Sequence, residues 1–393
     1  MTAGWAYSTV GSQFEVQLGK MLDAARNEGE LKPFIGNRAV QWGRIDANAS
    51  GQVPMSRLDM QRFRLREGDL LVCEGGEVGR AAIWRDQLPE CYFQKALHRL
   101  RPRRGYDVRL MQALLEYWAS VDGFRDYVTQ TSIAHLPREK FVTIPLPLPS
   151  THEQRRIGDV LELVDNLIAA LERLIAKKQA IKQGMMQQLL TGRTRLPGFV
   201  AEWEVAPFKE IALPSPERLD PQTSGNGTLL IELDDIEPGT GRLLRRETVE
   251  EAVSMKSVFR TGDVLFGKLR AYLRKFWLAD SSGLCSTEIW VLRTQGHHSP
   301  KFIRYLVESD SFIEMASNAH GTHMPRADWS LLSRFEIAIP PPDEQLAIAN
   351  VLLDADLEIE VLQRRLEKAR DIKTGMMQQL LTGRVRLPVD VES

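Results

Sequence analysis

Four basic side chains, Lys268, Arg270, Arg274 and Lys275, fall within eight residues and are interleaved with Tyr272, Phe276 and Trp277. Arg242, Arg245 and Arg246 lie a short way upstream, and Arg44, Arg57, Arg62 and Arg64 occupy the corresponding part of the first half. Cations at this density can neutralise phosphates, and an arginine among them can reach the guanine edge in a major groove. Solvated surface charge is the competing reading for each residue taken singly. A further cluster, Arg99 to Arg109, falls at a strand-to-helix turn, where a structural role is at least as well supported. The formal net charge is only -1, so any contact with a polyanion must come from local patches rather than from the whole surface.

Other residue types that do chemistry are not arranged to do it. Asp23 with Glu30 and Lys32 has a nuclease-like composition, yet no strand pattern surrounds it. His297, His298, His320 and His323 have no acidic or cysteine partner at metal-ligand spacing. Asp234 and Asp235 read as a solvated turn. The glycines of Gly75-Gly76-Glu77-Val78-Gly79 lack the βαβ setting of a dinucleotide loop and read as a hairpin turn. Neither a glycine-rich methyl-donor loop with an Asn-Pro-Pro-aromatic motif nor a nucleotide-hydrolase loop is found. Cys73, Cys91 and Cys285 stand singly in apolar runs, which indicates buried reduced thiols. No catalytic residue and no metal site can be argued.

The elements that position the basic segments come in two copies. Gly184 to Pro197 (GMMQQLLTGRTRLP) returns 191 residues later as Gly375 to Pro388 (GMMQQLLTGRVRLP), with only Thr194 against Val385 changed. The same offset carries Glu153-Gln154 onto Glu344-Gln345. Such self-similarity marks two copies of one structural unit. Upstream the copies share a framework with weaker identity. Gly68-Asp69-Leu70-Leu71 is answered by Gly262-Asp263-Val264-Leu265, Cys91 by Cys285, and the helical pattern from Leu110 to Trp118 by Phe302 to Val307. Val40 to Ile45 is matched by Ile236 with Gly241 to Leu243. Short strand patterns at Leu70 to Cys73, Ala81 to Trp84 and Cys91 to Leu97, with Phe14 to Leu22 ahead of them, predict α+β globular regions rather than a βαβ series. Shared framework with divergent loops suits two copies that do one job on different targets.

Each globular region ends in a proline-rich strand and a long helix. Ser150 with Glu153 has capping-box spacing, and Pro342 suits a first helical turn. Ile157, Leu161, Val164, Ile168, Leu171 and Ile175 follow steps of four and three, as do Ile348, Leu352, Ala355, Ile359, Leu362 and Leu366. This is a coiled-coil seam, interrupted in the first copy by Lys178. Val160, Leu167 and Leu174 widen the stripe beyond one partner, so the helices are expected to pack on each other and on another protein. The expected division is 1–150 and 198–341 for the globular domains, with 151–197 and 342–393 for the helical segments. With 43% hydrophobic and 26% charged residues, the chain has an ordinary folded composition. It has no leader pattern and no apolar run of the ~20 residues that span a bilayer, so a cytoplasmic, membrane-free protein is expected.

These phrases, Pro-x-x-x-Glu-Gln before the helices, the repeated Met-Met-Gln-Gln-Leu-Leu-Thr-Gly, Leu196 to Phe199 leading into Glu202-Trp203-Glu204, Leu269 to Leu273, and Cys285 to Ile289, resemble the DNA specificity subunit of type I restriction-modification systems over the full chain. The resemblance implies two target-recognition domains that read the halves of a split, asymmetric sequence in double-stranded DNA, held by an antiparallel pair of helices. It also implies two modification (methyltransferase) subunits and further restriction subunits as partners. S-adenosylmethionine, ATP and magnesium would sit on those partners, and this chain would be non-catalytic. A coiled-coil adaptor without nucleic acid is the alternative. It accounts for the helices but not for two differently looped domains with basic, aromatic-bearing segments. Only five residues follow Pro388, which leaves to the structure how the two ends of the chain meet.

Overall fold

The computed structural model describes residues 4–23, 27–130, 134–223, 227–248, 254–318 and 325–388. Four helices organise it: α1 (Val108–Ser120), α2 (Thr151–Leu189), α3 (Pro300–Glu308) and α4 (Pro342–Leu380). The chain forms two compact units, one of Met1–Arg173 with Arg364–Ser393 and the other of Leu174–Gln363. The units divide the chain inside α2 and α4, not at the ends of the helices where the sequence division was drawn. Each unit therefore contains a globular region, the start of the helix that follows it, and the end of the other copy's helix.

In the first unit a four-stranded antiparallel sheet has the order Phe14–Leu18, Leu97–Pro102, Leu70–Cys73, Ala81–Ile83. The unbroken apolar run at Leu70–Cys73 is explained by burial on both faces. Side chains alternate across a strand, so Leu70 and Val72 enter the core shared with α1, while Leu71 and Cys73 enter a second core with Phe93 and Trp84. The second unit repeats the order as Ala212–Pro214, Ile289–Thr294, Val264–Gly267, Phe276–Leu278. There Val264 and Phe266 face the α3 core and Leu265 the opposite one. Each unit has a second sheet, of three strands in the first and five in the second, that contains one parallel pairing: Glu30–Ile35 beside Tyr92–Phe93, and Leu229–Ile231 beside Gly283–Cys285.

The structure corrects three expectations. Glu30–Ile35 is a strand, paired antiparallel with Gly51–Met55. Its outer residues Glu30 and Leu31 are exposed and Pro33, which has no N–H to donate, argues against a strand, so tertiary pairing rather than local pattern makes it extended. Lys32 in this strand bonds Glu90 at 3.0 Å and pairs with Glu30. Cys91 to Leu97 is not one strand but two, Tyr92–Phe93 and Leu97–Pro102 in different sheets, divided by a turn in which Leu97 N–H donates to the Gln94 carbonyl. Asp235 is buried rather than solvated, accepting from Glu232 N–H at 2.8 Å and pairing with Arg245. The glycine run at 75–79 does lie in the hairpin between Leu70–Cys73 and Ala81–Ile83.

The repeated helix phrase has a packing reason. Met186, Leu189 and Leu190 at the end of α2 enter the core of the second unit beside Ile348 and Leu352. Met377, Leu380 and Leu381 at the end of α4 enter the core of the first unit beside Ile157 and Leu161. Within each unit the helices run antiparallel, because residues later in one meet residues earlier in the other. In the second unit Lys178 pairs with Glu358 and Lys182 with Asp356, while in the first Glu172 pairs with Arg370 and Asp165 with Lys373. Along the seam Ile157, Leu161, Ile175, Ile348, Leu352, Ile359 and Leu362 are buried, and Val164, Ile168, Leu171, Ala355 and Leu366 are half-buried. Lys178 interrupts the apolar pattern but joins the helices electrostatically.

Candidate nucleic-acid interface

The frame that carries the basic segments is built from one set of polar contacts made twice. In the second unit Arg195 donates to Glu344 at 2.6 and 2.7 Å, and the Trp203 indole donates to the same carboxylate at 2.9 Å. Arg386 and Trp5 do the same to Glu153 in the first unit, the latter at 3.2 Å. Both carboxylates are almost wholly removed from water, at 0% and 1% exposure. This clamp joins the tail after α4 to the first strand region of the chain, which answers how the ends meet. Ser150 Oγ accepts from Glu153 N–H as a cap should, but the Glu153 side chain is turned to Arg386 and Trp5. The adjacent glutamines are equivalent too. Gln154 bonds the Pro149 carbonyl and accepts from Asp107 N–H, the cap of α1, and Gln345 bonds the Pro340 carbonyl and accepts from Ser299 N–H, the cap of α3.

A second repeated set holds the end of each long helix. Lys182 sits between Glu308 and Asp356, both at 2.6 Å, with Arg304 also bonded to Glu308 and the Tyr305 hydroxyl donating to Asp356. Lys373 sits between Glu116 at 2.6 Å and Asp165 at 2.7 Å. Burial alone would push the Lys373 ammonium down, but the charges of Glu116 and Asp165 and their hydrogen bonds outweigh it and hold it above its usual value. Sequence reasoning missed both sets. The available signal was the offset itself, since Lys182 and Lys373, Asp165 and Asp356, and Arg195 and Arg386 all stand 191 apart.

On this frame the candidate basic residues separate into two groups. Lys275 is buried, donating to the Leu233 carbonyl at 2.9 Å and to Asp234 at 3.1 Å. Arg274 donates to the Glu308 carbonyl at 3.1 Å and to Asp310. Arg242 reaches Gln363 and Glu237, and Arg245 pairs with Asp235 and Glu247. Arg246 is bonded to Asp280, whose hydrogen bonds raise its guanidinium pKa, and it lies 5.6 Å over the Trp277 ring. These five cations are engaged within the protein.

The second group projects outward. Arg270 and Tyr272 are exposed, and among the described residues neither side chain has a partner. Lys268 is half-buried near Glu288, whose carboxyl is held low first by hydrogen bonding from Arg326 and then by the charges of Lys268 and Arg326. In the first unit Arg57 and Arg62 project from the short helix Arg57–Phe63, which a Ser56–Asp59 capping box begins, and Arg64 follows it. All three are exposed, with Arg62 5.2 Å over the Phe63 ring. The segment is tied down by Arg99 and Arg101, which donate to the carbonyls of Arg62 and Arg64. Arg44 is exposed on the separate strand Arg44–Ile45. The other arginine cluster is structural: Arg99 is buried against Glu15 and Gln17, Arg101 holds Asp69, and Arg109 holds Asp107 and Glu162.

No group of three or more His, Cys, Asp or Glu side chains fit to hold a metal occurs among the described residues. His298 Nδ1 lies 3.0 Å from the Gln345 amide, and His320 and His323 lie outside the described residues. The three cysteines are free and buried, and burial pushes the Cys73 thiol up to about 11. No helix among the described residues is long and apolar enough to cross a membrane.

Two units of one design, each presenting exposed basic side chains on a frame made twice, define an α+β protein with paired long helices. Residues 3–183 match the family described as the type I restriction modification DNA specificity domain. The chain is 26% identical over 284 residues to the type I restriction enzyme MjaVIII specificity subunit of Methanocaldococcus jannaschii, a match covering 65% of this chain and 66% of that one. It is 23% identical over 398 residues to the putative MjaX specificity subunit of the same organism, covering 93% and 90%. Its fold is that of the type I restriction-modification S subunit from M. genitalium, with a TM-score of 0.60 at 14% identity over 96% of both chains. The chain is thus similar to type I restriction-modification specificity subunits, with the family match lying in residues 3–183.

Proposed function

We propose that this chain is the non-catalytic subunit that reads a bipartite, asymmetric sequence in double-stranded DNA, each unit reading one half, and that recruits two methyltransferase subunits and the restriction subunits of its system. The observation that carries the reading is the contrast between frame and loops. The Glu344 and Glu153 clamps and the seating of Lys182 and Lys373 between two carboxylates recur in both units, whereas the exposed cations stand on different elements: a helix in the first unit and a hairpin loop in the second. A frame made twice with different exposed loops suits one task performed on two targets. Methyl transfer and nucleotide hydrolysis, with S-adenosylmethionine, ATP and magnesium, are assigned to the partners. Support for a protein partner on the helices comes from Leu346, Leu353, Leu357 and Val361, which are exposed at helical spacing on α4 in the second unit, and from Leu163 and Leu167 on α2 in the first.

Co-expression with the methyltransferase subunit of its host, followed by mapping of methylated bases across the genome, tests this reading. The expected result is one split motif with a fixed, unread gap. A continuous palindrome, or no methylation, refutes it. A coiled-coil adaptor that binds no nucleic acid would show no salt-dependent affinity for duplex DNA, whereas phosphate contacts give a steep dependence.

A further inference from the structure

A hairpin joins the equivalent pair of sheet strands in both units. Residues 74–80 join Leu70–Cys73 to Ala81–Ile83, and 268–275 join Val264–Gly267 to Phe276–Leu278. Each loop enters the left-handed backbone region twice. The first does so at Gly76 (φ 77°) and Gly79 (φ 82°), the second at Arg270 (φ 53°) and Arg274 (φ 53°). A Cβ at Gly79 would lie 2.3 Å from the Phe124 ring, so glycine is required there, whereas at Gly76 the nearest atom, on Asn37, would be 3.7 Å away. Glycine adopts this conformation without strain, and arginine does not. The second unit's loop, which winds through a short helical turn at Ala271–Leu273, thus carries two residues that oppose the backbone they occupy.

A strained residue persists where surrounding contacts over-determine it or where its side chain is needed. Arg274 meets the first condition through the Glu308 carbonyl and Asp310. Arg270 is anchored only by its backbone, whose N–H donates to the Pro325 carbonyl at 2.9 Å, next to the bridge between Leu269 and Arg326. Its guanidinium is exposed and has no partner among the described residues, and Tyr272, 54% exposed, stands beside it. Backbone strain at Arg270 therefore supports no intramolecular contact of its side chain; it holds a planar five-donor group outward on a rigid hairpin.

We infer that Arg270 is the specificity-determining residue of the second unit, donating to O6 and N7 of a guanine, and that Arg274 and Lys275 are positioning residues that fix the loop. This rests on the DNA-reading function proposed above. Arginine is suited to that base because two of its donors match the two acceptors of the guanine edge.

The test compares Arg270→Gly and Arg274→Gly in the full chain co-expressed with its methyltransferase subunit, reading thermal stability, affinity for target and mixed-sequence duplexes, and the methylated motif. Arg270→Gly leaves Tm unchanged or raised, since glycine suits the backbone. It lowers affinity for the target roughly tenfold more than for mixed duplex and removes the requirement for guanine at one position in one half of the motif. Arg274→Gly lowers Tm and weakens both duplexes together. An unchanged motif after Arg270→Gly overturns the inference, including the case where only the salt dependence falls, which would make Arg270 a phosphate contact. A Tm loss with unchanged binding, or a wild-type motif lacking guanine, overturns it as well. Absence of salt-dependent duplex binding and of methylation in the wild type would instead sink the proposed function itself.

Discussion

Removal of the Arg386 guanidinium tests whether the two ends of the chain are joined by a buried charge. Glu153 is 1% exposed and its carboxylate has three donors, two from Arg386 and one from the Trp5 indole. Removing one partner of a fully buried ion pair costs ~3–5 kcal/mol, because the remaining charge is stranded. The Arg386 side chain is 49% exposed, so water reaches the site once it is truncated, and roughly half of that figure is expected. Loss of the guanidinium from its place 5.4 Å over the Trp5 ring adds about 0.5 kcal/mol. Arg386→Ala is therefore predicted to destabilise by ~2–3 kcal/mol, and at ~2–4 °C per kcal/mol for a domain of this size its Tm falls by ~5–10 °C. Scanning calorimetry of wild type, Arg386→Ala, Glu153→Gln and the double variant gives the coupling, expected at ~1.5 kcal/mol or more. Arg384→Ala, an exposed arginine in the same tail, is the control and should change little. A coupling energy near zero, or a Tm shift for Arg386→Ala no larger than the control's, refutes the clamp.

His98 and Gly79 give two further tests in the first unit. His98 is fully buried, with Nε2 2.9 Å from the Leu136 carbonyl and its ring 5.1 Å from Phe141, and burial lowers its pKa from 6.5 to about 4. The unfolded chain takes up this proton below pH 6.5 and the folded chain resists it, so the contribution is complete above that pH and lost as pH falls, at ~1.4 kcal/mol per unit until about pH 4. Urea titrations of wild type and His98→Gln should converge as pH drops from 6.5 to 4, and parallel curves would rule the effect out. Gly79→Ala combines a left-handed backbone with a Cβ 2.3 Å from the ring of Phe124, itself buried edge-on to Trp118. It should cost ~2–4 kcal/mol, against ~1 kcal/mol for Gly76→Ala, where only the backbone term applies. Equal losses in chemical denaturation would show that the Phe124 contact yields.

What could be read from the sequence was whatever local periodicity or exact repetition encodes. The heptad seam from Ile157 to Ile175, the doubly buried strand at Leu70–Cys73 and the helix at Val108–Ser120 each follow from spacing within one element. The engagement of the basic residues was not legible, because charge type does not reveal a partner far away in the chain. Arg274 and Lys275 were as plausible as Arg270 until Glu308, Asp310 and the Leu233 carbonyl, more than 30 positions distant, were seen to hold them. Glu30–Ile35 was missed for the same reason, as its pairing lies in Gly51–Met55. The repeat nevertheless held more than was taken from it. Identity is densest where each helix end must enter a core and where an arginine must reach a buried glutamate, since those positions have one geometric solution and both copies need it. The loops differ because no such solution binds them. A lysine recurring at the repeat offset near the end of each long helix, as Lys182 and Lys373 do, is thus better read as one half of an ion pair between elements than as a solvated charge, and the recurring Asp165 and Asp356 supply its other half.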